Sequence, residues 1–264
     1  MAKLVLNDDH WAGRQIVGDR TSQQDAFKGG ILPTVGNGDA VVLILADGMG
    51  GHQGGALAAD AAVTQAFATL SAAPIRLDNI DAQLSRALDE ANLAVRKARP
   101  EDDDTYIGMG CTLVIALISQ KGLHWASVGD SPLWLCRKGQ LVRLNKDHSM
   151  GPVLEYMVAN DDMTEEEAAR DPRRNQLRSA LTGETIALTD VQKAPLQLKS
   201  GDLVLLASDG LIDLPENEIV DTLHAKAGLD AICDRLLKQV RAAVPEALDN
   251  STALVFRAET RGWF

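Results

Sequence analysis

Basic charge is scarce in this sequence: 26 Lys and Arg stand against 37 Asp and Glu in 264 residues, a formal net charge of −11. A nucleic-acid binder needs a basic surface to displace counterions, and none is visible. Cysteine is scarce too. Cys111, Cys136 and Cys233 are odd in number and far apart, with no CxxC pair. They suggest neither a disulfide framework nor a zinc site, and read as buried thiols in a reducing compartment. Aromatic residues make up 4% of the chain against 45% hydrophobic overall, so the core must be built from Ala, Leu, Val and Ile. The longest apolar runs, 41–46 and 111–118, are too short to cross a bilayer. The first ten residues contain Asp8 and Asp9 and no long apolar stretch, so no signal peptide is expected and the expected location is the cytoplasm. No linker rich in Pro, Gly or Ser divides the chain, and one domain over 1–264 is expected.

Two periodicities alternate along the chain. Short β-branched runs read as buried strands at 41–46, 112–118, 123–128, 133–137, 140–144, 202–207 and 252–256. The connections Gln120-Lys121-Gly122 and Lys138-Gly139 are so short that they can only join antiparallel neighbours, which argues against a doubly wound parallel sheet. Apolar residues at steps of three or four mark helices at Ala59, Val63, Phe67 and Leu70, at Ile80, Leu84, Leu88, Ala91 and Val95, and at Leu229, Ile232, Leu236 and Val240. The order implies an α+β fold of antiparallel sheets covered by helices. The polar stretch 148–183 reads as a surface insertion that can border a cleft. Short helices are expected in it near 153–158 and 164–169, the second capped by Thr164 with Glu167 three residues on. The Glu165–Glu167 run reads as an exposed helix start, and the four tryptophans, Trp11, Trp125, Trp134 and Trp263, as scattered packing residues.

One local pattern recurs. An apolar strand ends and an acid follows, beside Gly or Asn: Asp47-Gly48 after 43–46, Gly129-Asp130 after 127–128, and Asp209-Gly210 after 205–208, with Asp249-Asn250 just before the strand at 252–256. Asp and Gly are ordinary turn residues, and any one site alone reads that way. Four acids at the ends of buried strands are a different matter. If those ends converge, the carboxylates repel strongly and need cations. Oxygen donors without His or Cys select hard ions, Mg²⁺ or Mn²⁺, and the glycines let a carbonyl such as that of Gly48 approach.

The ordered set Arg20…Gln24-Asp25, Asp47-Gly48-Met49-Gly50-Gly51-His52, Gly110-Cys111-Thr112, Val128-Gly129-Asp130-Ser131, Asp147-His148-Ser149 to Pro172-Arg173-Arg174-Asn175, Ser208-Asp209-Gly210-Leu211 and Asp249-Asn250-Ser251-Thr252 resembles the PPM family. These are the PP2C-type metal-dependent protein phosphatases, here in their bacterial form. The resemblance runs from about 18 to 256 and implies a four-layer α-β-β-α sandwich with the metal centre at one end. It implies that Asp47 bridges two metals, that Asp209 and Asp249 hold the first, and that the Gly48 carbonyl and Asp25, directly or through water, serve the second. It assigns Asp130 and Asp213 to a third, weaker metal and Arg20 to the substrate phosphate, which suits a guanidinium fork. The implied reaction is hydrolysis of phosphoserine or phosphothreonine on proteins by a metal-activated water, with two or three Mn²⁺ or Mg²⁺ ions and no protein nucleophile.

Three positions depart from the commonest pattern: Gln24 in place of Glu, Met49 where eukaryotic relatives carry His, and Pro132 where Arg is common. Gln24 is the weaker ligand and loosens the expected second metal. His52 is read as hydrogen-bonding within its Gly-rich turn rather than as a leaving-group acid, and His148 as structural. His10 is expected to be exposed, His124 to begin a strand, and His224 to lie on a helix. The Arg173-Arg174 pair is read as a solvated face rather than a phosphoprotein contact. The expected partners are phosphorylated proteins and an opposing Ser/Thr kinase, with no nucleic acid and no membrane, and a monomer is expected. Two alternatives stand beside this: a phosphatase acting on a sigma-factor regulator, and a non-catalytic sensor or scaffold. The Pro-Arg-Arg segment argues against the first, and the retained Asp47, Asp209 and Asp249 argue against the second.

Overall fold

The computed structural model describes residues 3–36, 38–50, 54–101 and 103–261; Trp263 lies outside them. Two five-stranded antiparallel sheets form the centre. In the first the order is Gln140–Arg143, Leu133–Arg137, Leu203–Ala207, Ser251–Arg257 and Trp11–Ile16; in the second it is Asp190–Val191, Gly122–Val128, Leu113–Ser119, Gly38–Ala46 and Ala26–Thr34. Ser119 pairs with Gly122 across its turn, and the Lys138-Gly139 turn has positive φ at both residues (54° and 78°), the geometry that matches the twist of a two-residue hairpin.

Three apolar layers hold the sandwich together. Between the sheets, Val41, Leu43, Leu45, Val114 and Ala116 meet Leu133, Val204, Leu206, Leu254 and Phe256. The alternate residues of the second sheet, Val42, Ile44, Ile115 and Leu117, face helices α1 (Gly54–Ser71) and α2 (Ile80–Ala98). Those of the first, Leu203, Leu205, Ala253 and Val255, join the layer built with the fifth and sixth helices. The central strands are buried on both faces, so they read as continuous apolar runs without alternation. The four-layer α-β-β-α order is the one expected. The three buried cysteines carry no disulfide.

The stretch 148–183 carries α3 (Gly151–Ala159) and α4 (Glu165–Arg170). The Thr164–Glu167 capping box is formed in both directions. The flap is pinned at its base by bridges from Ser149 to Leu177 and from Cys111 to Leu181. Helices α5 (Glu216–Leu223) and α6 (Leu229–Ala243) follow the Leu203–Ala207 strand. The two longer strands Trp11–Ile16 and Ala26–Thr34 were not expected, nor was the two-residue strand Asp190–Val191, whereas a helix at His224 was. The two longer strands carry Gly13, Arg14, Gln15, Lys28, Gly29, Gly30 and Pro33, which dilute the β-branched signal, and both sit at sheet edges. The expectation for His10 is corrected: it is largely covered, hydrogen-bonded to Asn7 and 3.4 Å from Glu259. His124 lies near the start of its strand, and His224 caps the C-terminus of α5. Among the described residues no helix is long and apolar enough to cross a membrane.

Candidate metal centre

Strand ends bring the acids together. Asp47 directly follows the Gly38–Ala46 strand, Asp130 comes two residues after Gly122–Val128, Asp209 two residues after Leu203–Ala207, and Asp249 two residues before Ser251–Arg257. These strands belong to both sheets, and their ends open at one edge of the sandwich. Asp47, Gly48, Asp130, Asp209, Asp249 and Arg20 all line one cleft of about 680 Å³, whose far side is the end of the flap, residues 175–180 and 182. Asp213 borders an adjoining cavity of about 340 Å³, which it shares with Asp130, Asp209 and Asp249. Asp25 lies behind the wall, 5% exposed.

Buried hydroxyls set the backbone of this edge. Asp47 N donates to Thr112 Oγ1 (3.0 Å), Thr112 N donates back to the Asp47 carbonyl (2.8 Å), and the Thr112 and Ser131 hydroxyls are 2.7 Å apart. Thr252 N donates to Ser208 Oγ (2.9 Å) beside Asp209. Close approach demands glycine twice. A Cβ at Gly48 would fall 2.2 Å from the Gly55 carbonyl at the start of α1, and one at Gly129, where φ is +98°, would fall 2.6 Å from Thr112 Cγ2. Asn250, 3% exposed, ties the Arg20 loop to the Asp249 segment: its Oδ1 accepts from Gln24 N (2.7 Å), and its Nδ2 donates to the carbonyls of Val17 (2.7 Å) and Ser22 (3.1 Å). Asp19 adds a second tie, accepting from Arg241 at 2.7 Å through both oxygens and from Leu248 N at 2.9 Å.

The electrostatics are those of an overcrowded anionic site. Burial pushes the Asp25 carboxyl up to about 7, against hydrogen bonds from Thr252 and Ser208, with Asp209 and Asp249 adding repulsion. Asp47 is raised well above the carboxylate range, first by burial and then by Asp25, Asp209 and Asp130. Asp130 is raised to about 6 by burial and Asp209. Asp209 is raised by burial and Asp249, offset in part by a hydrogen bond with Asp47. Arg20 donates to Asp249, which raises its own affinity for its proton.

Whether this set suits a divalent ion can be judged from the chain alone. The donors are carboxylates and a glycine carbonyl, the hard oxygen set of Mg²⁺ and Mn²⁺. One buried carboxylate oxygen, Asp25 Oδ1, has no hydrogen-bond partner among the described residues, and a cation or its water would supply one. Among the described residues no three acidic, His or Cys side chains stand as a ready-made cage. Arg20 offsets part of the negative charge through its ion pair with Asp249. The residues fit the ions in chemistry and in convergence, and Asp25, Asp47, Asp209 and Asp249 could hold them.

The expectations for individual residues sort clearly. Asp25, Asp47, Gly48, Asp130, Asp209, Asp213, Asp249 and Arg20 are gathered at one edge. Gln24 and Met49 also line the cleft. Pro132 needs no N–H where it sits, and its carbonyl accepts from Ala207 N at 3.1 Å. His148 is buried, and its Nδ1 accepts from Gly129 N at 3.2 Å. Arg173 and Arg174 pair with Asp171 and Glu155. Gly51 and His52 lie outside the described residues. The tie made by Asp19, the roles of Asn250, Thr112 and Ser131, and the presence of Arg178 in the cleft were not anticipated. The hydroxyls sit in or beside the Asp motifs, and that adjacency was the available signal.

The chain is similar to known proteins in sequence and in fold. A family model described as Protein phosphatase 2C matches residues 12–251. The serine/threonine phosphatase stp of Listeria welshimeri serovar 6b is 32% identical over 218 residues, covering 81% of this chain and 83% of that protein. The structure of the Streptococcus agalactiae serine/threonine phosphatase superposes with a TM-score of 0.79 at 27% identity, over 94% of this chain and 98% of the other. The catalytic domain of the serine/threonine protein phosphatase PstP, solved in complex with two manganese ions, superposes with a TM-score of 0.74 at 28% identity, over 98% of this chain and all of the other.

Proposed function

The chain belongs to the protein phosphatase 2C family, and from that premise we propose that it is a single-domain phosphatase that hydrolyses phosphoserine and phosphothreonine on proteins with the help of Mn²⁺ or Mg²⁺. The observation that carries the reading is the meeting of Asp47, Asp209, Asp249 and Arg20 in one cleft. Three mutually repelling acids are costly to keep unless cations offset them.

In this proposal Asp47, Asp209, Asp249, Asp25 and the Gly48 carbonyl hold two ions, and Asp130 with Asp213 holds a third, weaker one. When bound, the ions supply Lewis acidity that makes water a competent nucleophile near neutral pH and offsets charge on the phosphoryl oxygens. Arg20 turns from Asp249 to the phosphate, whose planar oxygens suit its fork. Thr112 and Asn250 keep the Asp47 and Asp249 segments in register, so that little reorganisation accompanies the reaction. The cysteines offer no competing route: burial pushes Cys233 up to about 12 and raises Cys111 and Cys136, so no thiolate is available. Gln24 loosens the second metal relative to a carboxylate there.

The expected setting is the cytoplasm of a bacterium, as a monomer opposing a Ser/Thr kinase. The test is hydrolysis of a phosphothreonine peptide with MnCl₂, with EDTA, and by Asp209→Asn. Metal-dependent turnover, lost in EDTA and lowered at least about 100-fold in the variant, supports the reading. Full turnover in EDTA overturns it.

A further inference from the structure

Among the described residues lining the cleft, two carry positive charge, Arg20 and Arg178. They come from different parts of the chain. Arg20 sits in the loop between the Trp11–Ile16 and Ala26–Thr34 strands, and Arg178 on the return of the flap. Arg20 is engaged by Asp249. The arginines earlier in the flap are engaged as well: Arg170 with Glu166, Arg173 with Asp171, and Arg174 with Glu155. Arg178 is exposed, and among the described residues its guanidinium has no hydrogen bond or ion pair.

Its backbone, by contrast, is held on both sides. Arg178 N donates to the His148 carbonyl at 2.8 Å, Leu177 bridges to Ser149, and the Ser179 hydroxyl donates to the Leu188 carbonyl at 2.8 Å. A free charge on a fixed stretch of backbone is a recognition element awaiting an anion. The phosphoryl group undergoing hydrolysis, with a charge of about −1.5 to −2, is matched by Arg20 and the cations of the acid cluster. Arg178 remains in excess, and beside it Asn175, Gln176 and Ser179 also line the cleft.

We infer that Arg178 is a specificity-determining residue that receives the carboxylate of an Asp or Glu flanking the phosphorylated residue of the substrate. The inference rests on the phosphatase reading. The planar fork of arginine matches a carboxylate in two parallel hydrogen bonds. The other flap residues described as lining the cleft, 175–177, 179, 180 and 182, carry no charge, so Arg178 turns the flap side of the site toward acidic substrates.

Two phosphothreonine peptides that differ only in Glu or Lys at the flanking positions test it, with kcat/KM measured on the Mn²⁺-loaded wild type, Arg178→Gln and Arg178→Glu. The wild type prefers the Glu peptide by about fivefold, and the preference shrinks as salt is added. Arg178→Gln abolishes the preference and Arg178→Glu inverts it. A purely structural role for Arg178 would slow both peptides equally and leave the ratio intact, which overturns the inference. So does a wild type that favours the Lys peptide or neither, a result that needs no variant. If the wild type hydrolyses neither peptide, the phosphatase reading falls first and this inference with it.

Discussion

Thr252 Oγ1 donates to Asp25 Oδ2 at 2.6 Å, while Oδ1 of the same buried carboxylate has no hydrogen-bond partner among the described residues. The strand that carries Thr252 thus holds Asp25 in place behind the acids of the cleft and leaves one oxygen with its bonding capacity unused.

This arrangement makes the stability of the metal-free protein depend on pH. Asp25, raised to about 7, and Asp130, raised to about 6, bind protons in the folded state that they have lost in the unfolded chain, and Asp47 shifts the same way. The folded state therefore binds more protons between the ordinary aspartate pKa and these raised values, so its stability falls as pH rises through that window. His124 and His148, lowered by burial, act in the opposite sense up to the ordinary histidine range. Comparing melting curves in EDTA and in MnCl₂ cancels the histidines. The gap between the two melting temperatures should widen from pH 5 to pH 8, each kcal/mol amounting to about 2–4 °C at this chain length. A constant gap would contradict the clustering of charge described above.

Arg20 and Asp249 form a half-exposed ion pair. Such pairs contribute little to stability, so Arg20→Ala should leave the denaturation midpoint almost unchanged. The same change removes a charged hydrogen-bond donor from the phosphate and should lower kcat/KM about 10- to 100-fold. Loss of folding in step with loss of activity would assign Arg20 a structural part instead.

Asn250 spends its side chain on Gln24 N and the carbonyls of Val17 and Ser22. Asn250→Ala removes three part-buried hydrogen bonds and should cost about 2–3 kcal/mol in urea unfolding. Because the loop it holds carries Arg20, KM for phosphopeptide should rise as well. An unchanged urea midpoint would show that the loop is held by other means, such as the Asp19–Arg241 pair.

Much of the site was legible before folding, for a local reason. Each acid sits where an apolar strand stops and a turn begins, and that boundary is written in neighbouring residues: Leu45-Ala46-Asp47-Gly48, Leu206-Ala207-Ser208-Asp209. The central strands were legible because burial on both faces makes them uniformly apolar. The edge strand Ala26–Thr34 was not, since its Gly29, Gly30 and Pro33 are tolerated only where one side of the ladder is unpaired.

The sequence by itself determined the kinds of atoms available: oxygen donors in four turns, glycines beside them, arginines instead of histidines for anions, and cysteines with no partners. Only the tertiary structure decided which of these meet. The packing of the two sheets brings Asp47 and Asp209, 162 positions apart by subtraction of their numbers, into one cleft. It commits Arg170, Arg173 and Arg174 to nearby acids and leaves Arg178 without an ion pair among the described residues. Chemical type belongs to single residues, whereas proximity, burial and the charge left uncompensated are properties of the packed chain, because they depend on distances that no local stretch of sequence contains.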